Sequence, residues 1–200
     1  MEARQESPPE GNYIPETREA FEKITKAREG RLYFSINPED VTDLIYNVLE
    51  REKGKVIDIV LCIDTTNSMK KYIDPLRARL VSVLQELVND FPSFRIGMVL
   101  YRDYNEAYLT RRIPFTSDFT RFQRDLNAIR VGGGGDIPEA VYEALHDGAI
   151  GFTWEAESRI MILIGDGPPH PRPRGRITWE TTEAAAEDRN ITIHAIILPQ

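Results

Sequence analysis

Apolar runs alternate with amphipathic stretches from residue 56 to the end of the chain. Four runs rich in Ile and Val and bounded by turn residues predict buried strands at Val56–Ile63, Phe94–Tyr101, Arg159–Ile164 and Ile191–Leu198. A more polar run, Tyr108–Phe115, is typical of a strand at a sheet edge. The stretches between these runs predict helices at Met69–Asp90, Phe119–Ala128, Pro138–Ile150 and Thr178–Arg189. Such alternation indicates a parallel sheet with helices on both faces.

The first 54 residues predict a further helix-strand-helix unit. A short helix ends at Gly30, the segment Arg31–Ile36 alternates as a strand does, and Asn37 with Pro38 begins a second helix. This unit is too small to hold its own core, so it adds a strand to the same sheet. The predicted fold is α/β, a doubly wound, mostly parallel six-stranded sheet with one antiparallel edge strand. We expect residues 1–15 to form a flexible tail and residues 16–200 to form one domain.

Charge and composition exclude several classes of partner. The 200 residues contain 25 Lys and Arg against 32 Asp and Glu, a formal net charge of −7. This balance argues against a nucleic acid, whose phosphates are held by clustered Lys and Arg. No apolar stretch approaches the roughly 18 residues of a membrane span, so we expect no membrane insertion. The one cysteine, Cys62, lies in an apolar run and is predicted to be a buried thiol.

Two predicted strands each deliver an aspartate to the same edge of the sheet. Asp64 ends the first core strand and Asp166 follows a later one, and ligands of such sheets bind beyond the carboxyl ends of strands. Successive side chains of an extended segment point to opposite sides, so Asp64, Thr66 and Ser68 can all point to the same side. Oxygen ligands of this kind suit magnesium or manganese. The alternative is that Thr66 or Ser68 caps the next helix and Asp166 serves a turn.

A glycine run, residues 132–135, precedes Asp136, Pro138 and Glu139. Glycines allow a close approach of the backbone, and both carboxylates would lie where the helix dipole favours negative charge. A helix cap explains the pair equally well. The run contains none of the motifs that hold phosphate groups.

Together these motifs resemble those of a known family. Asp64-x-Thr66-x-Ser68, with Asp166 after a later strand, resembles the metal-ion-dependent adhesion site (MIDAS) of von Willebrand factor A (vWA) domains. The segment from Asp136 to Glu139 resembles the Asp-x-Pro-Glu of the A-like domain in integrin beta subunits. The likeness spans Val56 to Leu198 and implies a vWA/Rossmann-like fold. It implies one Mg²⁺, replaceable by Mn²⁺, with these ligands: Asp64, Thr66, Ser68, Glu139 and Asp166.

The resemblance also implies features around that site. A neighbouring calcium site would use Asp103, Asp136 and Glu139. We expect Asn67, Tyr104 and His170 to border the metal and contact a partner. A third, inhibitory-type site is expected to be absent, because acidic ligands are replaced by Lys70, Lys71 and Tyr72.

The N-terminal unit resembles elements that normally end a vWA domain. Residues 16–54 look like its last helix, edge strand and final helix, which predicts a circularly permuted chain. Permutation is tolerated where few contacts are cut. It would place Arg31–Ile36 beside Ile191–Leu198. The alternative is a truncated domain with an unrelated N-terminal extension.

The resemblance implies a binding module in which the metal captures a carboxylate of a partner protein. It is not expected to be an enzyme, and an extracytoplasmic setting is favoured. One alternative is a magnesium-dependent phosphohydrolase with Asp64 as nucleophile. Another is a structural domain that binds no metal.

Overall fold

The computed structural model describes residues 13–135 and 137–200, in which strands alternate with helices. The strands are β1 (Leu32–Phe34), β2 (Val56–Asp64), β3 (Ser93–Tyr101), β4 (Thr110–Thr116), β5 (Ser158–Gly165) and β6 (Thr192–Ile197). The helices are α1 (Pro15–Ala27), α2 (Val41–Glu50), α3 (Lys70–Leu87), α4 (Phe119–Asn127), α5 (Val141–Ile150) and α6 (Trp179–Asp188). Short 3-10 turns occur at Asn67–Met69 and Val88–Asp90.

The strands form one sheet in the order β1-β6-β5-β2-β3-β4. All neighbours are parallel except β4, which runs antiparallel to β3 at the edge. The predicted α/β fold, a six-stranded mostly parallel sheet of vWA/Rossmann-like type, is therefore confirmed.

The N-terminal unit joins the sheet where the sequence predicts. Strand β1 pairs in parallel with β6, with Leu32 opposite Ala195 and Phe34 opposite Ile197. This adjacency is the one that a permuted order requires.

The predicted tail is too long at its C-terminal end. Tyr13 donates a hydrogen bond from its hydroxyl to the carbonyl of Ser35 at 2.6 Å, and its ring packs edge-on against Phe34. Helix α1 already begins at Pro15, because proline suits the first helical turn. Residues 1–12 lie outside the described residues, so for them the tail stays a prediction.

The two faces of the sheet carry separate apolar cores. In β2, Ile59 and Leu61 face the core that includes α2, α3 and α4, while Val60 and Cys62 face the core that includes α1, α5 and α6. All four side chains are fully buried, which explains the unbroken apolar run. Burial raises the pKa of the Cys62 thiol, as expected for a structural cysteine. No helix in the described part of the chain has the length and apolar character that a membrane span needs.

The chain reverses its winding direction at β2. It passes from β2 to β3 on one side and later returns to β5 on the other side. The crevice beyond the carboxyl ends of β2 and β5 is therefore the switch point at which such sheets bind ligands. Asp64 is the last residue of β2, and Asp166 follows β5 directly.

Candidate metal centre

Asp64 lies fully buried at the bottom of the crevice. Its Oδ1 accepts hydrogen bonds from the Thr66 N–H at 2.7 Å and from the Thr66 hydroxyl at 2.8 Å. No N–H or O–H group among the described residues donates to its buried Oδ2, although the Asp64 carboxyl lies within hydrogen-bond reach of Asp166. Buried carboxylate oxygens are nearly always paired, so this orphaned atom needs an explanation.

Asp166 lies opposite Asp64 and is connected to it through two hydroxyl groups. Its Oδ1 accepts a hydrogen bond from the Ser68 hydroxyl at 3.2 Å, and the Thr66 and Ser68 hydroxyls lie 3.1 Å apart. Its Oδ2 is also buried without a partner. The crevice thus holds two carboxyl groups and two hydroxyls, and each carboxyl has one oxygen that no N–H or O–H group of the described residues reaches.

Negative charge in this crevice is destabilising. Burial and the nearby charge of Asp166 raise the pKa of Asp64 from 3.8 to about 7. Burial also raises the pKa of Asp166, although the positive charge of Lys71 works in the opposite direction. A cation placed between the two carboxylates would reverse these shifts, because it stabilises their charged forms.

Glu139 approaches the same crevice from the segment before α5. Its N–H donates to the carbonyl of Pro168 at 2.8 Å, and it forms a parallel bridge with Pro169. This pairing delays the helix to Val141, so the prediction of a helix from Pro138 is wrong at its start.

The hydroxyl of Tyr101 is buried near the ends of β2 and β5, where a Cβ atom on Gly165 would lie 2.4 Å from it. Burial raises its pKa, and the charges of Asp64, Glu139 and Asp166 raise it further. Glu139 itself is 4% exposed. The structure therefore links four of the predicted ligands, Asp64, Thr66, Ser68 and Asp166, by hydrogen bonds, and it places Glu139 beside Gly167, next to Asp166 in the chain.

The donor set restricts which ion could bind. Within residues 13–135 and 137–200, no three His, Cys, Asp or Glu side chains form a group that could hold a metal ion by themselves. A site here would depend on the Thr66 and Ser68 hydroxyls and on water. Magnesium binds in this way, through one or two carboxylates and several waters. The two orphaned carboxylate oxygens and the two hydroxyls fit that ion.

The glycine run folds over the crevice. Gly133 and Gly134 adopt φ angles of +80° and +81°, which favour glycine. The Asn67 side chain donates to the Gly133 carbonyl at 2.7 Å, and the Gly134 N–H donates to the Glu106 carboxylate at 3.0 Å. A Cβ atom on Gly134 would lie 3.2 Å from the Thr66 side chain. Glu106 was missed by the sequence analysis, since no motif marks it.

The residues predicted for a second cation site do not form one among the described residues. Asp103 is 2% exposed, and its carboxylate contacts the His170 ring and the Arg174 guanidinium, the latter at 3.2 Å. Asp136 lies outside the described residues. The Asp103 carboxylate is therefore already bonded to protein groups, and a second cation site that includes Asp136 stays a prediction.

The three residues predicted to contact a partner differ in exposure. Asn67 is exposed, as that role needs. Tyr104 is half-buried, and its hydroxyl donates to Glu143 at 2.6 Å. His170 is 8% exposed and packs between Asp103 and the Tyr104 ring, so a direct role in contacting a partner does not fit.

A helix of the N-terminal unit also touches the crevice. The Thr17 hydroxyl of α1 donates to the backbone carbonyl of Asp166 at 3.0 Å, and both residues are buried. Local sequence gives no sign of this contact, which joins segments far apart in the chain.

A family model described as "von Willebrand factor A domain" matches residues 58–193, more than half of the chain. Among curated proteins, the chain is similar to the alpha-protein kinase vwkA of Dictyostelium discoideum, with 29% identity over 121 residues that cover 58% of this chain and 19% of the kinase. It is also similar to a putative ariadne-like RING finger protein of Acanthamoeba polyphaga mimivirus, with 26% identity over 121 residues that cover 60% of this chain and 12% of that protein. The matched segment spans less than a fifth of either relative.

Two solved structures are similar over part of the fold. One is an aerotolerance-related membrane protein from Bacteroides fragilis, with a TM-score of 0.47, 17% identity, and coverage of 70% of this chain and 67% of that one. The other is the pilus adhesin SpaC from Lactobacillus rhamnosus GG, with a TM-score of 0.44, 19% identity, and coverage of 57% of this chain and 16% of that one.

Proposed function

Because the chain belongs to the von Willebrand factor A domain family, whose members commonly mediate protein interactions and adhesion, we propose that it is a metal-dependent protein-binding module. In this proposal the crevice is a MIDAS that holds one Mg²⁺, or Mn²⁺ in its place. The ion is held, in part through water, by Asp64, Thr66, Ser68, Glu139 and Asp166.

One observation carries the proposal. Asp64 and Asp166 lie within hydrogen-bond reach of each other, and each buries a carboxylate oxygen to which no N–H or O–H group of the described residues donates, at the edge where such sheets bind ligands. Leaving a buried acceptor unpaired costs about 1–3 kcal/mol. A divalent ion would satisfy both oxygens at once.

Exposure indicates how a partner would reach the ion. Asp64 and Thr66 are buried, whereas Ser68 and Asn67 are exposed, so the crevice opens to solvent on the Ser68 side. When bound, the metal supplies a positive charge that attracts an acidic side chain of the partner. The surrounding residues then set the affinity through contacts at the rim.

We do not carry over a kinase or RING finger activity from the two relatives. The matched segment covers only 19% and 12% of their lengths. We propose an interaction role without enzymatic activity.

Thermal unfolding tests the metal centre. At a Mg²⁺ concentration about 100 times its dissociation constant, binding stabilises the fold by about 2.7 kcal/mol, which raises the midpoint by roughly 5–10 °C relative to EDTA. Ser68→Ala should reduce this shift, because it removes an exposed ligand. Ser82→Ala, an exposed serine on α3, should leave it intact. Equal midpoints of the wild type in Mg²⁺ and in EDTA would contradict the proposal.

We also infer that the N-terminal unit makes this a circularly permuted vWA domain. The pairing of β1 with β6 supports it, because the unit completes the sheet beyond the segment that the family model matches. Tyr13 and Ile197 both bond to Ser35, so the two ends of the described fold lie close together.

A relinked chain tests the permutation. Residues 55–200 would be joined through a short flexible linker to residues 13–54, which restores the usual family order. The exposed turn around Gly54 is the cut site. We expect the relinked chain to unfold cooperatively and to keep the Mg²⁺-dependent shift. Failure to fold would favour the alternative of a truncated domain with an unrelated extension.

A further inference from the structure

A basic loop, residues 171–176, follows the segment that carries Asp166 and is fixed to the residues directly after β3. The loop begins directly after His170, and its Arg174 reaches back to the buried carboxylate of Asp103 at 3.2 Å. Gly175 packs against the Tyr104 hydroxyl so closely that a Cβ atom there would lie 2.7 Å from it. The loop therefore holds a defined position next to the crevice, although most of its side chains are exposed.

Two arginines of this loop have no acidic partner among the described residues. Arg172 and Arg176 are exposed, and neither forms an ion pair with another residue in the described part of the chain. Arg174 holds the loop in place, so these two charges remain on the surface at a fixed site.

Two lysines add positive charge at the start of α3. Lys70 and Lys71 are exposed, and neither forms an ion pair within the described residues. Both directly follow the turn that carries Ser68. The charge of Lys71 acts on Asp166, which places it within electrostatic reach of the crevice.

Several basic side chains away from the crevice differ from these four because they are paired with acidic neighbours. The chain has a net charge of −7, and many basic side chains elsewhere are paired with acidic neighbours. Examples are the pairs Arg18 with Glu22, Lys53 with Asp90, Arg79 with Asp43, and Arg95 with Asp58. Unpaired charge of one sign around a site attracts a partner of the opposite sign.

We propose that Lys70, Lys71, Arg172 and Arg176 form a rim that docks an acidic segment of a partner protein. Asp or Glu residues of that segment flank the carboxylate that the metal centre captures. The inference rests on the proposed function and adds the kind of partner: a peptide with several acidic residues in sequence.

Peptide selection tests the rim. A displayed library with a central Asp and randomised flanks is bound to the protein in Mg²⁺ and eluted with EDTA. We expect the eluted pool to be enriched in Asp and Glu at the flanking positions. For a selected acidic peptide, the double variant R172E/R176E should lower the affinity on the order of tenfold, and added salt should reduce the difference.

A matched control separates local from overall charge. The double variant K26E/R31E makes the same change in net charge on exposed positions at and just after the C-terminal end of α1. The C-terminal end of α1 lies at the opposite edge of the sheet, where Arg28 donates to the carbonyl of Ile191. This variant should select the same acidic peptides as the wild type.

The outcomes distinguish this inference from the proposed function. Peptides that elute with EDTA but lack flanking acids would overturn the rim and leave the metal centre standing. The rim is also overturned, and the metal centre left standing, if R172E/R176E and the control variant lose the same affinity for the selected acidic peptide. If EDTA elutes no peptide from the bound pool, both the rim and the metal centre are overturned. Binding to phosphatidylserine vesicles that R172E/R176E abolishes, without acidic enrichment among peptides, would assign the rim to lipid and overturn the proposal.

Discussion

Asp64→Asn should make the metal-free protein more stable while it abolishes the response to Mg²⁺. The asparagine Oδ1 can keep both hydrogen bonds from Thr66. Its amide replaces the orphaned Oδ2 and lies within hydrogen-bond reach of Asp166. The substitution therefore removes a buried charge and supplies a missing donor.

The size of the effect follows from the pKa of Asp64. The carboxyl holds its proton to about pH 7 in the folded protein and loses it near pH 3.8 in the unfolded chain. Each pH unit corresponds to about 1.4 kcal/mol, so the charged form costs up to about 4 kcal/mol above pH 7. For a domain of this size, that limit corresponds to a rise in melting midpoint of roughly 8–16 °C.

The same shift fixes the pH dependence. Between about pH 4 and pH 7 the folded protein binds more protons than the unfolded chain, so without metal the free energy of unfolding falls as pH rises. Above pH 7 it levels off. Asp64→Asn should flatten this slope.

Urea unfolding in EDTA, followed by circular dichroism across this pH range, measures both effects. Asp74→Asn is the matched control, because its side chain is 74% exposed and pairs only at the surface with Arg77. It should leave both stability and Mg²⁺ response nearly unchanged. The reasoning fails if D64N unfolds more easily than the wild type in EDTA at pH 8, or if it keeps the full Mg²⁺ shift.

Other predictions concern the scaffold. Burial alone would raise the pKa of Asp58, but hydrogen bonds from Arg95 and from two backbone N–H groups outweigh it and lower the pKa. Arg95→Gln should therefore cost about 2–3 kcal/mol in urea unfolding at neutral pH, and the difference from wild type should shrink as pH falls below about 3.8. Gly30→Ala should cost about 3 kcal/mol or more, since the added Cβ would lie 1.8 Å from the Ile193 carbonyl oxygen. Gly135→Ala, whose Cβ meets nothing within 4 Å, should keep the wild-type midpoint; equal losses for both glycine variants would contradict the steric reason.

Periodicity along the chain was enough to predict the sheet and the position of the crevice. Asp64 and Asp166 each follow an apolar run, and the switch-point rule places such residues together. The start of α5 was mispredicted, because Glu139 pairs with Pro169, a contact far away in sequence. Local propensity cannot anticipate a bridge of that kind.

Side-chain pairs between distant parts of the chain were the other feature that the sequence could not predict. The resemblance assigned Asp103 to a cation site, whereas the structure gives its carboxylate to His170 and Arg174. The sequence shows both residues near the site but not which carboxylate they reach. Glu106 is a similar case, since its partner is a backbone N–H of Gly134.

The hydrogen bond from Thr17 to Asp166 has a mechanical consequence. Tension applied ahead of α1 would pull on this helix and, through the Thr17 hydroxyl, on the loop that carries Asp166. Force on the N-terminal segment and the position of Asp166 are thereby coupled through this hydrogen bond, in addition to the packing of α1 on β6. A tether attached before Tyr13 would therefore pull on the loop that carries Asp166.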